Sequence, residues 1–372
     1  MTTIINGSSP SITFSDGSAQ TSATRPFLNR LINGGMTIDQ RNAGASVTVA
    51  SSRNYYLDRF TVFAQTGSKL TIQQNAGSVT PPAGFTNYAG ITVSTAVSPL
   101  GAADQYMFEQ QIEGYNVADL NFGSANAKTI TLSFWVRSSL TGTFAGSISN
   151  GAEDRTFPFT YTISTANTWE YETITIAGDL SGTWLTTNGS GLRLKLNLGT
   201  GATYSGTANA WTSSPYITSV TGTVNLINTV NATWYITGVQ LEVGSTATSF
   251  DYRPIGTELA LCQRYYQQIT GTSGSGYYGI GTGTNTNTTI ADILAPLPVT
   301  MRVIPTTSFS GTIYLFDASG NPAITSISNT YGGQSNIYMG ITATGGGLTV
   351  GRGVYLYTNN STSSIFRFSA EL

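Results

Sequence analysis

Apolar and polar residues alternate in short runs along most of this chain, with Gly, Ser, Thr and Asn between the runs. In TITLSFWVRS, Ile130, Leu132, Phe134 and Val136 alternate with Thr131, Ser133, Trp135 and Arg137, the two-residue period of a strand buried on one face. Leu192, Leu194, Leu196 and Leu198 alternate with Arg193, Lys195 and Asn197, and Val239, Leu241 and Val243 do so with Gln240 and Glu242. In WEYETITI the parity switches between Trp169/Tyr171 and Ile174/Ile176, which suggests a bulge or a strand buried on both faces. Trp135, Trp169 and Trp234 all fall within such runs and are expected in the core. Strands resume near the end in TIYLF, NIYMGI, GVYLY and IFRF. Many short strands with turn punctuation predict an all-β sandwich or barrel over 28–254 and a smaller β domain over 272–372.

One segment, GTELALCQRYYQQIT, has a different period. Thr257 is placed as N-cap, Glu258 suits the positive first turn, and Gly271 supplies a stop. Leu259, Cys262 and Tyr266 share a stripe that Leu261 and Tyr265 broaden, so a linker helix is predicted over 255–271. About three turns are marginal alone in water, and the stripe must be covered. The expected cover is partly the sandwich and partly symmetry mates, with Leu259, Cys262, Tyr265 and Tyr266 as oligomer contacts. Residues 1–27 read as an extended arm.

Composition narrows the chemistry. Only 9% of the 372 residues are charged and the net charge is -2, so no basic footprint for nucleic acid or anionic lipid exists. Twenty Tyr, 16 Phe and 5 Trp argue against disorder. The single cysteine precludes an internal disulfide, and MTTIINGSSPSITF shows no export signal, so maturation in a cytosol is expected. No apolar run approaches a membrane span. The absence of histidine removes Ser-His-Asp and Cys-His catalysis and histidine-bound metals. Cys262, on an apolar stripe, reads as a small buried hydrophobe. The densest acidic spots, Glu153/Asp154 and Glu170/Glu172, read as surface charge rather than a glycosidase pair, and no enzymatic activity is expected.

Several stretches carry a resemblance. SPSITFSDGSAQTSA, NRLINGGMTIDQRNAGASVTV with YYLDRF, SFWVRS, WYITGVQLEVGSTATSFDYRP, IGTELALCQRYYQ, LPVTMRVIPT and FSAEL are similar to segments of bacteriophage tail-fibre and receptor-binding virion proteins. The resemblance spans most of the chain and is strongest in the VQLE to CQRYY block. It implies a jelly roll of the carbohydrate-binding-module kind, a C-terminal β module, a homotrimer, and an arm that binds other virion proteins. The location implied is the virion, assembled in host cytoplasm. A structural Ca²⁺ held near the first and last strands is also implied, with Asp39 and Glu242 as candidate ligands; an outward-facing strand carboxylate is the other reading of Glu242.

Sugars have an apolar face and a polar rim, so their sites pair an exposed aromatic with amides or carboxylates. Trp211 and Tyr216 in NAWTSSPYITS, and Tyr277 and Tyr278 in GSGYYG, sit in polar, loop-like settings and are the candidate glycan contacts. The functional expectation is a trimeric fibre subunit adhering to host-surface glycan. The alternatives are a head fibre, decoration or tail-scaffold protein binding only virion proteins and, third, a polysaccharide depolymerase.

Overall fold

The computed structural model describes residues 27–372 other than 273 and 275 (backbone alone at 329). It also describes three short strands before them, Ile4–Asn6, Ser11–Thr13 and Ala19–Gln20, which pair antiparallel. The rest of the expected arm lies outside the described residues.

Two six-stranded antiparallel sheets form a sandwich. The first runs, in spatial order, Glu170–Ile176, Ile130–Ser138, Thr233–Val243, Ala89–Val93, Leu70–Gln74 and Val47–Thr48. The second runs Thr156–Ile163, Gly142–Asn150, Ser190–Thr200, Gln105–Glu113, Phe60–Ala64 and Ser52–Leu57. The chain switches sheets repeatedly, as in a jelly roll. Ile130, Leu132, Phe134 and Val136 meet Leu192, Leu194, Leu196 and Leu198 in one fully buried core, as the alternation requires.

The opposite parity is buried too. Thr131, Ser133, Lys195, Asn197, Gln240 and Glu242 are all almost inaccessible. Loops lie across the outer faces: Ser147 Oγ, on the second sheet, donates to the Ile217 carbonyl at 3.0 Å. Lys195 pairs there with Glu153, whose carboxylate also takes Arg193 at 2.8 Å. Arg53 and Arg193 in turn hold Glu109 at 2.6 and 3.2 Å.

The expected irregularity in WEYETITI is absent: Glu170–Ile176 pairs with Ile130–Val136 without a register shift, and Trp169 precedes the strand. The bulge lies instead in Thr233–Val243, where Gly238 has φ +63° and the inward parity passes from Trp234/Ile236 to Val239/Leu241. A Cβ at Gly238 would come within 2.6 Å of the Phe85 ring, so both backbone and space demand glycine. Trp234 is core, whereas Trp135 and Trp169 are only partly covered.

The helix is shorter than predicted. α1 spans Ile255–Gln263 with Pro254 at its N-cap, so Thr257 is already inside it. The next residues, Tyr266–Thr270, form a strand paired with Ile365–Ser369, which pairs on its other side with Thr306–Ser310. Aromatic and β-branched residues in YYQQIT favour the strand, and the open edge of Ile365–Ser369 supplies its partner. This small sheet closes against a curled six-stranded sheet, ordered Ile313–Phe316, Gly353–Thr358, Gly279–Asn285, Ile290–Pro296, Asn336–Ala343 and Ile324–Gly332. Between them lies a second core around Ile293, Met339, Leu356 and Phe366.

The stripe of α1 and the two tyrosines after it are covered within the chain. Cys262 and Tyr265 pack with Ile32 and Ile38, and Tyr266 lies under the Arg41 guanidinium at 3.6 Å. Cys262, Tyr265 and Tyr266 are buried, which leaves nothing of those three for a second chain to cover; Leu259 is half-buried beside them. The expected three-fold contact is corrected at Cys262, Tyr265 and Tyr266, while Leu259 keeps part of its surface. Burial also pushes the Cys262 thiol well up, which suits an inert hydrophobe.

The two cores meet in a buried, charged seam. Arg59 is 1% exposed, pairs with Glu371, donates to the Gln111 carbonyl at 2.7 Å and lies 3.5 Å over the Tyr265 ring. Arg41 binds the same carboxylate at 2.7 Å, and Arg264 binds Glu113 at 2.6 Å. No helix among the described residues is long and apolar enough to cross a membrane.

Candidate functional site: an uncharged aromatic cleft

Alternation in the C-terminal sheet points Ile313 and Leu315, and Val354 and Leu356, into the second core. The other parity carries Tyr314 and Phe316, and Tyr355 and Tyr357, where an ordinary surface strand would carry polar residues. Antiparallel pairing sets Tyr314 opposite Tyr357 and Phe316 opposite Tyr355. On the far side Gly279 pairs with Tyr357 and Thr282 with Tyr355. A side chain at Gly279 would meet open space, so its absence leaves the floor clear beside Tyr357.

The result is a cleft of about 520 Å³ lined by Tyr277, Gly279, Tyr314, Phe316, Asn321, Tyr355, Tyr357 and Asn359. Tyr355 is 56% exposed, Tyr277 59% and Phe316 41%. Tyr357 sits between neighbours, its ring centre 5.8 Å from both Tyr277 and Tyr314. Its hydroxyl donates to Asn321 Oδ1 at 2.6 Å. Burial pushes the Tyr357 phenol up, so it is a neutral donor at ordinary pH.

The turn that carries Asn321 is rigidly held. Asp317 accepts the amides of Ser319, Gly320 and Thr349 at 2.8, 3.1 and 2.6 Å, and the Asn285 side chain at 2.8 Å. No lining residue is charged. Flat apolar ring faces, phenol hydroxyls and two amides in one concavity can bind a neutral molecule having an apolar face and hydroxyl edges.

Of the four aromatic residues singled out from sequence, only Tyr277 lines this cleft. Tyr278, 47% exposed, is tied by its amide to Thr358 Oγ1 at 3.0 Å and does not line it. Trp211 is not a platform: it packs against Phe157, Trp184 and Phe122 with centroids 5.3, 5.5 and 5.8 Å away. Its Nε1 donates to the Ala177 carbonyl at 2.8 Å, so it closes the edge of the sandwich. Tyr216 is half exposed at φ +61°, edge-on to Tyr204 at 6.4 Å; it does not line the neighbouring hollow of about 530 Å³, which Tyr204, Thr212, Pro215 and Ile217 help to form. Tyr314, Phe316, Tyr355 and Tyr357 were missed. The signal was present in TIYLF and GVYLY, where the parity opposite to the core residues is aromatic instead of polar.

The carboxylates expected at a Ca²⁺ site are engaged separately. Asp39 accepts the amides of Asn42 and Gly44 at 3.0 and 2.8 Å, which closes a turn. Glu242 accepts the Thr248 amide, the Thr248 hydroxyl and the Gln240 side chain, each at 2.8 Å. Among the described residues, no group of three or more acidic, histidine or cysteine side chains converges as a metal site. Both carboxylates organise loops.

No protein-family model matches the chain. No curated protein matches it either. Among solved structures, it is similar to the enzymatically active domain of tailspike protein 4 of bacteriophage CBA120 at 13% identity and a TM-score of 0.31, covering 59% of this chain and 22% of that one. It is similar to TmCBM61 in complex with β-1,4-galactotriose at 10% identity and a TM-score of 0.30, covering 59% and 100%. A sugar-binding protein designation from Bacteroides thetaiotaomicron accompanies a third, at 13% identity and a TM-score of 0.31, covering 58% and 100%. The matched part spans about a fifth of the length of that tailspike domain. At these scores the fold rests on the sheet topology described above, and the site on its own geometry.

Proposed function

We propose that this chain is a subunit of a bacteriophage virion, a homotrimeric tail fibre or receptor-binding protein, that adheres to neutral host-surface glycan through the C-terminal aromatic cleft. The observation that carries the glycan reading is the row of Tyr314, Phe316, Tyr355 and Tyr357 turned outward with Asn321 and Asn359 between uncharged walls. The virion assignment rests on the leader, VQLE and CQRYY resemblances. Each cleft is shallow and binds weakly; three copies per fibre, and several fibres per particle, raise the effective concentration enough for firm attachment.

The protein acts by adhesion without bond cleavage. Glu109 and Glu153 are both clamped by Arg53 and Arg193, and the Glu170 carboxylate is taken up by the amides of Ser164 and Thr165. Carboxylates held so firmly are poor general acids, and Glu172, which burial pushes up to about 7, lies outside the C-terminal cleft. Incubation with host polysaccharide should release no oligosaccharide.

The test is binding of fluorescent full-length protein to host cells, with Tyr355→Ala and Tyr355→Ala/Tyr357→Ala alongside the parent. Loss of one exposed stacking face is expected to weaken binding roughly tenfold. Stability should change by less than about 0.5 kcal/mol for Tyr355→Ala, because that residue lies outside the core. Equal binding by parent and double variant would refute this placement of the site. A parent that binds no host surface, yet incorporates into particles, would favour the head-fibre or decoration role.

A further inference from the structure

The outer face of the first sheet holds a second aromatic concavity, about 420 Å³, between the loop at 81–87 and the segment at 245–252. Its floor is Ser133 and Gly238, from adjacent strands of the sheet. One wall is the pair Trp135 and Tyr171, facing across two strands with ring centres 5.2 Å apart. The other is a three-ring cluster: Phe85 lies 5.0 Å from Phe250 and 5.6 Å from Tyr252, which lie 4.9 Å from each other. Ala247, Thr248 and Ser249 edge the opening.

Two features show that this groove is held open by design of the backbone. The Gly238 bulge lets the tip of the Phe85 ring reach the sheet, where any side chain would strike it. Glu242, through its three bonds to Thr248 and Gln240, fixes the segment that carries Phe250 and Tyr252. Tyr171 and Tyr252 are 44% and 59% exposed although each belongs to an aromatic cluster. The lining holds no charge. An anionic sugar or a phosphate would find no counter-ion, and a long aliphatic occupant would strand the hydroxyls on the floor and rim.

We infer that this groove is a second saccharide site, one that takes a neutral sugar ring slotted between the Trp135–Tyr171 wall and the Phe85–Phe250–Tyr252 wall, with the exposed Thr248 and Ser249 at the rim meeting its hydroxyl edge. The C-terminal cleft offers an open platform, whereas here the ring is gripped from two sides. The inference does not depend on the C-terminal reading, since the two sites share no residue. Two unlike sites on one chain allow a fibre to engage a branched or repeating glycan at two points.

The experiment uses the full chain carrying Tyr355→Ala and Tyr357→Ala, so that the other cleft is silenced. Isothermal titration with neutral tetrasaccharides (cellotetraose, maltotetraose and chitotetraose) is followed by the same titration after Tyr171→Ala and, separately, Tyr252→Ala. At least one tetrasaccharide should bind in the silenced background, and each added substitution should weaken it roughly tenfold. Bound sugar should also shield Trp135 from acrylamide quenching. Both substitutions remove partly exposed rings, and circular dichroism checks that the fold persists. No binding by any of the three sugars, or binding that both variants leave unchanged, overturns the inference. So does selective binding of a proline-rich peptide, which would make the groove a protein contact. None of these results bears on cell binding through Tyr355 and Tyr357 in the parent.

Discussion

The second sheet of the jelly roll and the six-stranded sheet of the C-terminal domain obey the same two-residue alternation, yet their outward faces have opposite fates. On the jelly roll that face carries Lys195, Arg193 and Glu109, tied together with Glu153 from the turn at 151–155 and roofed by loops. On the C-terminal sheet it carries Tyr314, Phe316, Tyr355 and Tyr357, open to solvent. A polar face can thus be structural, and the aromatic face is the one we propose to be functional. A contiguous exposed apolar patch costs solubility and commonly marks a surface that binds something. Buried charge, by contrast, ties a surface shut, since each ion must keep its partner.

The largest expected effect comes from cutting the seam between these two regions. Glu371→Ala strips the carboxylate from Arg59, which has no access to water, and also frees Arg41. Leaving a buried cation unpaired costs about 3–5 kcal/mol. Urea denaturation should show that loss. Calorimetry should show one transition for the parent and two for the variant, because each region keeps its own core. An unchanged single transition would show that the seam couples nothing.

A smaller effect tests the bulge. Gly238→Ala forces a non-glycine residue to φ +63° and drives a methyl into the Phe85 ring, at a cost of about 1–3 kcal/mol. The same change should distort the groove bounded by Phe85. A variant as stable as the parent would mean that the strand can shed its bulge, and the parity switch at Gly238 would need another cause.

Much of this architecture is legible in the sequence. Alternation in TITLSFWVRS and LRLKLNLG predicts which residues enter the core, because a strand's period is fixed by the backbone. Alternation cannot tell whether the other face meets water, since that depends on loops such as 201–224 that arrive from elsewhere in the chain. The helical spacing of their neighbours predicts a helix at Tyr265 and Tyr266. The open edge of Ile365–Ser369, a hundred residues away, decides otherwise. Trp211 was misplaced for a related reason: a polar neighbourhood in sequence says nothing of Phe157 and Trp184 in space. For the cleft, single aromatics in loops were weaker signals than aromatics occupying the outward parity of two paired strands.

The smallest expected effect concerns a carboxylate that belongs to neither the roofed network nor the open face. Glu172 lies opposite Phe134 in the pairing of the first sheet's edge strand, near the buried Tyr161 phenol. Burial, then the like charge of Glu170, pushes it up to about 7 from the usual 4.5. The native state therefore holds a proton that the unfolded state has lost over roughly pH 4.5 to 7. Stability must fall as pH rises through that window, and the full penalty remains above pH 7. Glu172→Gln keeps the shape and removes the charge. Its melting temperature should match the parent's near pH 4 and exceed it at pH 8, with the gap opening between those values. Taking the difference between the two proteins cancels other titrations, including that of Asp58, which burial pushes up to about 6. A gap that is constant with pH would mean that Glu172 reaches water freely, and the edge of the sandwich would be more open than its register implies.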